Sequence, residues 1–280
     1  MEMPMSALAG LRVVSLAINA PGPIAAAALR DLGATVIKVE PPTGDPLRLI
    51  GDAWYTRLTD GMDVRTLDLK DPAGQAAFEA LLADADLLLT AQRPASLARL
   101  GITWDALHAR YPRLGWVGIV GYPPPNENVA GHDLTYQAAY GTLTPPHMPR
   151  VLLADMAGAE RAVSAALALL LARERGQGAG HTLVALSDAA KAFAATVPLG
   201  ITTPGGILGG GLPNYRMYAT AEGWLAVAAL EPHFNARLCT ALEVDGSEEA
   251  LKAVFQQRSA ADWEAWGLER DLPLAAIHGS

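Results

Sequence analysis

The feature that most constrains this chain is the alternation of short apolar strands with helices through its first half. "LRVVSLAI" is a β-branched apolar run. It leads into "NAPGPIAAAALRDLG", where Pro23 sits near a helix start and Gly33 at its end. "ATVIKVEPP" reads as a second strand, stopped by Pro41 and Pro42. "KDPAGQAAFEALLADA" predicts a helix capped by Asp71, with Pro72 at its first position. "DLLLT" is a third strand, "SLARLGITWDALHARYP" two short helices and "RLGWVGIVGY" a fourth strand. Apolar strands in this order bury both faces as an open, mostly parallel sheet covered by helices on each side.

That order defines an α/β class, an open Rossmann-like parallel sheet over residues 1–204. One Rossmann signature is missing: the turn after the first strand reads "NAPGPIAAAA", not G-x-G-x-x-G, so a dinucleotide site is not supported. The second half has a different grain. "DMAGAERAVSAALALLLARERGQG" is the strongest helix, with Asp155 at its cap and Gly176 and Gly178 after its last turn. "HTLVALSDAAKAFAATV" reads as strand then helix. "PLGITTPGGILGGGLPN" predicts a flexible connection to a smaller α+β domain over residues 205–280. There "YRMYATAEGWLAVAAL" forms a hairpin turning at Glu222-Gly223, and the remainder is expected to be helical with short breaks.

Composition excludes several functions. The net charge is −8 and no basic run offsets it, which argues against nucleic acid as a partner. An anionic ligand is still allowed, because one site needs only a few local cations. The single cysteine, Cys239, rules out an intrachain disulfide and argues against a cysteine-built zinc site, so a reducing compartment is expected. "MEMPMSALAG" lacks the length and basic charge of a signal peptide. "AVSAALALLLA", the longest apolar run, is only about half of the roughly 20 residues that a membrane span needs. The expectation is a soluble cytoplasmic protein without a membrane partner.

Few residues can carry chemistry. Asp155 precedes a long apolar helix, where an aspartate commonly serves as N-cap. The same position puts a carboxylate beside backbone N–H groups that can bind a developing oxyanion. His132 lies in "AGHDLTYQAAYG" and is followed by Asp133; imidazole as a side-chain type suits a proton relay. Glu231 in "AALEPHF" is a second carboxylate to accompany it. Lys38, Lys70 and Arg93 sit at strand ends or in loops, either as solvated surface or as contacts to a phosphorylated ligand at the carboxyl edge of the sheet. The glycines from Gly205 to Gly211 lack the Lys-Ser/Thr of a phosphate loop and read as linker.

Taken together, "LRVVSLA", "LRDLGATVIKVEPPTGDP", "TLDLKDPAG", "RPASLARLG", "AGHDLTYQAAYG" and "LLADMAG" resemble the family III CoA-transferases (CaiB/BaiF), a group that also includes α-methylacyl-CoA racemases. The resemblance runs from about residue 10 to residue 270. The racemase branch is nearer. Its "GHDxxY" is matched by Gly131, His132, Asp133 and Tyr136. Its "ADxxGG" is matched at Ala154 and Asp155, with Ala157 and Gly158 in place of the glycine pair. Its "GALE" is matched at Ala229, Leu230 and Glu231.

The resemblance implies coenzyme A as the thioester carrier and no metal. It implies that the α-proton is removed on one face and returned on the other, by His132 and Asp155, with Glu231 orienting His132. The N–H groups at the start of the Asp155 helix would face the enolate oxygen. Leu67, Asp68, Leu69 and Lys70 ("LDLK") with Arg93 would line the CoA channel, and Lys38, Gly131, Asp133 and Tyr136 complete the expected binding set. A homodimer, possible in interlocked form, and a small domain truncated relative to the family are also implied. The segment before "LDLK", basic in relatives, reads "TDGMDVR" here, and Pro41 stands where relatives place an arginine. Two other readings stay open: a CoA-transferase with Asp155 as nucleophile, and a non-catalytic CoA-binding or scaffold protein of the same fold.

Overall fold

Six short strands pair in parallel: β1 (Arg12–Ser15), β2 (Thr35–Glu40), β3 (Asp63–Thr66), β4 (Leu87–Thr90), β5 (Gly115–Val120) and β6 (His181–Ala185). Their order across the sheet is β3-β2-β1-β4-β5-β6. The order reverses between β1 and β4, the place where open sheets of this kind bind ligands beyond the strand ends. This is a computed structural model that describes residues 6–279. They divide into two units, the first ending at Ala194 and the second beginning at Ala195.

In the first unit the helices are α1 (Pro21–Asp31), α2 (Leu47–Thr59), α3 (Pro72–Ala83), α4 (Pro94–Arg99), α5 (Trp104–Arg110), α6 (Asp133–Ala139), α7 (Leu153–Glu174) and α8 (Leu186–Phe193). Alternate strand residues enter different cores. Val13, Val36, Leu87, Leu89, Val117 and Ile119 pack with α1 and α7, and Val14, Ile37, Val39, Leu88 and Trp116 pack with α3, α4 and α5. The central strands β4 and β5 are therefore apolar at nearly every position, as burial on both faces demands. Small residues let α7 lie close to its neighbours. Ala154, Ala159, Ala162 and Ala166 are fully buried, and a Cβ on Gly158 would stand 2.2 Å from Leu186 Cδ2.

At the end of β2 the polar residues of "KVEPPTGDP" form a buried cluster. Lys38 Nζ donates to Glu40 Oε1 at 2.7 Å and to Asp45 Oδ2 at 2.8 Å, and Tyr55 Oη donates to Glu40 Oε1 at 2.6 Å. Lys38 is fully buried. The other Asp45 oxygen accepts the N–H groups of Leu47 and Asn19, both at 2.9 Å. The lysine that looked like a ligand contact is an internal brace, its ammonium withdrawn from solvent by two carboxylates.

Two elements of this unit had no sequence signal. β3 is an exposed edge strand of four residues, "DVRT", held by pairing to β2 alone. α2 is kinked at Gly51, whose backbone leaves the helical range. Asp71 caps α3 as expected, accepting Ala73 N–H at 3.2 Å.

The second unit holds β7 (Tyr215–Ala219), β8 (Trp224–Ala228), α9 (Pro232–Leu242), α10 (Glu248–Phe255), α11 (Ala260–Leu268) and β9 (Leu274–Ala276). The hairpin turns where expected, with Gly223 at φ +84°. The end of the chain is not only helical: β9 joins β8 antiparallel and closes a three-stranded sheet over a core that includes Leu238, Phe255 and Trp263. The glycine-rich stretch is a folded set of turns rather than a loose linker. Leu208 N–H reaches Ile201 O at 2.8 Å and Gly211 N–H reaches Gly206 O at 2.9 Å. A Cβ on Gly209 would stand 1.8 Å from Thr203 O, so that turn closes only on glycine. Among the described residues no helix is long and apolar enough to cross a membrane.

Removing one member of a buried ion cluster strands the others. Lys38→Met, which leaves Glu40 and Asp45 buried without their cation, is expected to lower unfolding free energy by about 3–5 kcal/mol. Denaturant midpoints of wild type and variant measure it.

Candidate active site

The carboxyl ends of β1, β4, β5 and β6 open onto one cavity of about 230 Å³. Its walls include Ile18, Asn19 and Pro21 after β1, Arg93 after β4, Gly121, Glu127, Gly131, His132 and Tyr136 after β5, Asp155 on α7, and Leu186 at the start of α8. Each wall is fixed by an identifiable contact. Asn19 adopts φ +67°, a left-handed conformation that asparagine tolerates better than most residues, and the Asp45 brace holds its N–H. Thr135 Oγ1 accepts His132 N–H at 3.1 Å and donates to His132 O at 2.8 Å, which pins the backbone at the start of α6. The Tyr136 ring fills the space beside Gly121 and Gly131, where a Cβ would come within 2.4 Å and 2.6 Å of it. It packs edge-on against Tyr122, ring centres 5.2 Å apart. Tyr136 thus explains both glycines.

The start of α7 differs from the sequence expectation. Asp155 is not the cap; the cap position is Leu152, and Asp155 is the third residue of the helix. The capping carboxylate comes from Asp133, which is buried. Its Oδ1 accepts the N–H groups of Ala154 at 2.7 Å and Asp155 at 3.2 Å. Its Oδ2 accepts Gln137 Nε2 at 2.6 Å, and Gln137 also donates to Val151 O at 3.0 Å. Two N–H groups expected to face an enolate oxygen are therefore already taken, and Asp133 is a structural joint whose carboxylate is occupied.

The same joint changes Asp155. Burial, and then the negative charge of Asp133, push its carboxyl up to about 7. The Tyr136 hydroxyl is pushed up to about 12, by burial first and then by Tyr122 and Asp155. His132 is exposed, and its imidazole makes no hydrogen bond among the described residues.

Of the residues singled out from sequence, His132, Asp155, Arg93, Gly131 and Tyr136 line this cavity. Lys38 and Asp133 lie behind its walls, bonded as described. Leu67, Asp68, Leu69 and Lys70 form the connection between β3 and α3 and line other surfaces. Asp68 Oδ1 accepts Lys70 N–H at 2.9 Å, and Leu69 borders a second cavity with Phe78, Glu79 and Arg110. Glu231 is in the second unit, exposed at the cap position of α9, where its carboxylate makes no cap hydrogen bond. Asn19, Glu127, Gln137 and Asp45 were not anticipated. Only Asn19, two residues before Pro21 in a tight turn, had a local signal. Among the described residues no group of three or more His, Cys, Asp or Glu side chains is placed to hold a metal ion.

Comparison with known proteins agrees with this architecture. Residues 8–278 match the model of CoA-transferase family III. Alpha-methylacyl-CoA racemase of Mus musculus is 32% identical over 274 residues, covering 91% of this chain and 68% of the racemase. Succinyl-CoA–D-citramalate CoA-transferase of Chloroflexus aurantiacus is 30% identical over 266 residues, 86% of this chain and 66% of the transferase. The crystal structure of a hypothetical protein (Rv3272) from Mycobacterium tuberculosis superimposes with a TM-score of 0.84 at 26% identity, covering 99% of this chain and 85% of that one. The chain belongs to CoA-transferase family III.

The raised carboxyl has a stability consequence. The folded state keeps a proton on Asp155 that the unfolded chain releases between pH 3.8 and about 7. Stability from this group therefore falls as pH rises through that interval and stays low above it. Asp155→Asn removes the effect. It is expected to be more stable than wild type at about pH 8, by about 1–3 kcal/mol, with the gain shrinking as pH falls. Denaturant titrations across the interval measure the difference.

Proposed function

We propose that this chain is an enzyme acting on CoA thioesters, and that it racemises or epimerises the carbon next to the thioester through an enolate. The observation that carries the reading is a carboxyl held at about 7 in the same cavity as a histidine. Proton transfer is most efficient when the group's pKa lies near the working pH, so that both of its forms are populated. Asp155 meets that requirement, and His132 faces the same cavity from a different element, the start of α6. One removes the α-proton and the other returns a proton to the opposite face.

The enolate oxygen needs a donor, and the first N–H groups of α7 are occupied. We assign this task to Tyr136 Oη, which stays protonated at neutral pH and lines the cavity. Arg93, at the mouth of β4, is proposed to meet the anionic portion of coenzyme A, and the "LDLK" segment to line its channel. Glu231 keeps, as a proposal, the orienting role toward His132 that the resemblance implies, and a homodimer is the proposed assembly.

Transferase chemistry is the second reading, favoured by transferases among the relatives. It uses Asp155 as an ionised nucleophile, a form that the raised carboxyl disfavours.

The test is incubation with a branched 2-methylacyl-CoA in deuterated water, followed by mass spectrometry. Wild type is expected to incorporate deuterium at the α-carbon without any acceptor acid. His132→Ala and Asp155→Ala should each cut racemisation by about 10²–10⁴-fold. Each should retain exchange from one enantiomer only, and the two variants should retain opposite enantiomers. A transferase would instead lose all turnover with Asp155→Ala, little with His132→Ala, and would require an acceptor. Binding without exchange or transfer would leave a scaffold.

A further inference from the structure

Asn19 lines the same cavity as His132 and Asp155, and it is exposed. Asp45 holds its backbone N–H at 2.9 Å, but its carboxamide makes no hydrogen bond among the described residues. Its backbone is unusual as well. Three non-glycine residues have positive φ among the described residues. Glu243 closes α9 and Asp271 follows α11, and left-handed backbone is common at such helix ends. Asn19, at φ +67°, instead joins a strand to a helix.

Residues in such conformations persist only where their surroundings over-determine them, and they gather at functional sites. Two contacts fix this turn. Asp45 is buried and bonded to Lys38 at 2.8 Å while it grips Asn19. Gly22 packs so closely on Ala17 that a Cβ would stand 2.3 Å from the Ala17 Cβ.

A thioester oxygen in this cavity needs donors, and the backbone offers few. The N–H groups of Ala154 and Asp155 are taken by Asp133. At the start of α1, Pro21 and Pro23 have no N–H, so Gly22 alone keeps one among the first three residues. Of the exposed polar residues lining the cavity, Arg93 is a cation and His132 a candidate base, which leaves Asn19 as the neutral donor.

We propose that the Asn19 carboxamide donates to the oxygen of a bound thioester and steadies that oxygen as negative charge develops on it, joining Tyr136 in that task. The proposal rests on the reading of this cavity as the thioester site. No bond of Asn19 is made or broken.

Two variants test it. Asn19→Gly removes the carboxamide and suits the backbone, since glycine takes positive φ freely. Asn19→Asp tolerates the same conformation but presents an acceptor where the amide donates. Both are expected to melt close to wild type. Titration calorimetry on the full chain compares 2-methylbutanoyl-CoA with S-(2-methylbutyl)-CoA, the thioether that lacks the carbonyl oxygen. Exchange of the α-proton of the thioester in deuterated water is followed separately. Wild type is expected to bind the thioester about 10-fold more tightly than the thioether. Asn19→Gly should lower that ratio about 5-fold and slow exchange about 10²-fold, and Asn19→Asp should lower the ratio at least as far. Equal affinities in wild type overturn the proposal. So does a ratio unchanged in Asn19→Gly; if both affinities then fall together, the side chain serves the part of CoA common to both compounds. A ratio that falls in the variants while wild type exchanges no proton supports Asn19 as carbonyl donor and removes the proposed reaction instead.

Discussion

One buried carboxylate joins the two elements of the first unit that carry the candidate bases. Asp133 has no cation beside it in the hydrogen-bond network. Two N–H groups of α7 and the Gln137 amide donate to it. That arrangement is favourable because a helix N-terminus carries partial positive charge and unpaired donors. It also sets geometry. Asp133 follows His132 directly in sequence, and its carboxylate grips the helix that carries Asp155. The two candidate bases are thus tied through one side chain, and α6 cannot drift from α7 without breaking two hydrogen bonds.

The joint has an electrostatic consequence that opposes its structural benefit. Capping stabilises α7, but it brings a fixed negative charge toward Asp155, which is already poorly solvated. The carboxyl responds by holding its proton to near neutrality. Groups perturbed in this way gather at functional sites, because a chain has no structural need to keep a carboxyl where its charged form is disfavoured. The opposite wall follows a contrasting rule. There Lys38 pairs with Glu40 and Asp45, every charge is answered, and the product is rigidity of the Asn19 turn. Glu40 accordingly sits below its usual carboxylate value despite its burial, because Lys38 and Tyr55 both bond to it.

Much of the fold was legible because the central strands of the first unit are buried on both faces and read as uninterrupted apolar runs. β3 was not, since an exposed edge strand needs no apolar residue. β9 was not, since three residues after a helical stretch hold too little pattern. The glycines from Gly205 onward looked like a linker, because composition cannot tell a loose chain from turns so tight that only glycine closes them. At the site, residue identities were legible, and their partners were not. His132 and Asp155 stood out by type and place, and Tyr136 through the family resemblance alone. Their surroundings depend on contacts between residues far apart in sequence: Asp133 with Ala154, and Asp45 with Asn19. An aspartate ahead of an apolar helix looks like a cap, and only the fold revealed that another aspartate already held that place.

The relatives include racemases and transferases, and the proposed reading separates the two chemistries by the ionisation of one carboxyl. A nucleophilic aspartate must attack as the anion, so a site built for it lowers the carboxyl with donors or a cation. Asp155 lacks both: its own N–H is given to Asp133, and the nearest fixed charge is negative. A base that must also return a proton needs the opposite setting, one in which gaining and losing a proton are nearly balanced. Burial beside Asp133 provides that balance. On the proposed reading, the aspartate acts in proton transfer because of its surroundings, and Asp133 is the neighbour whose charge sets them.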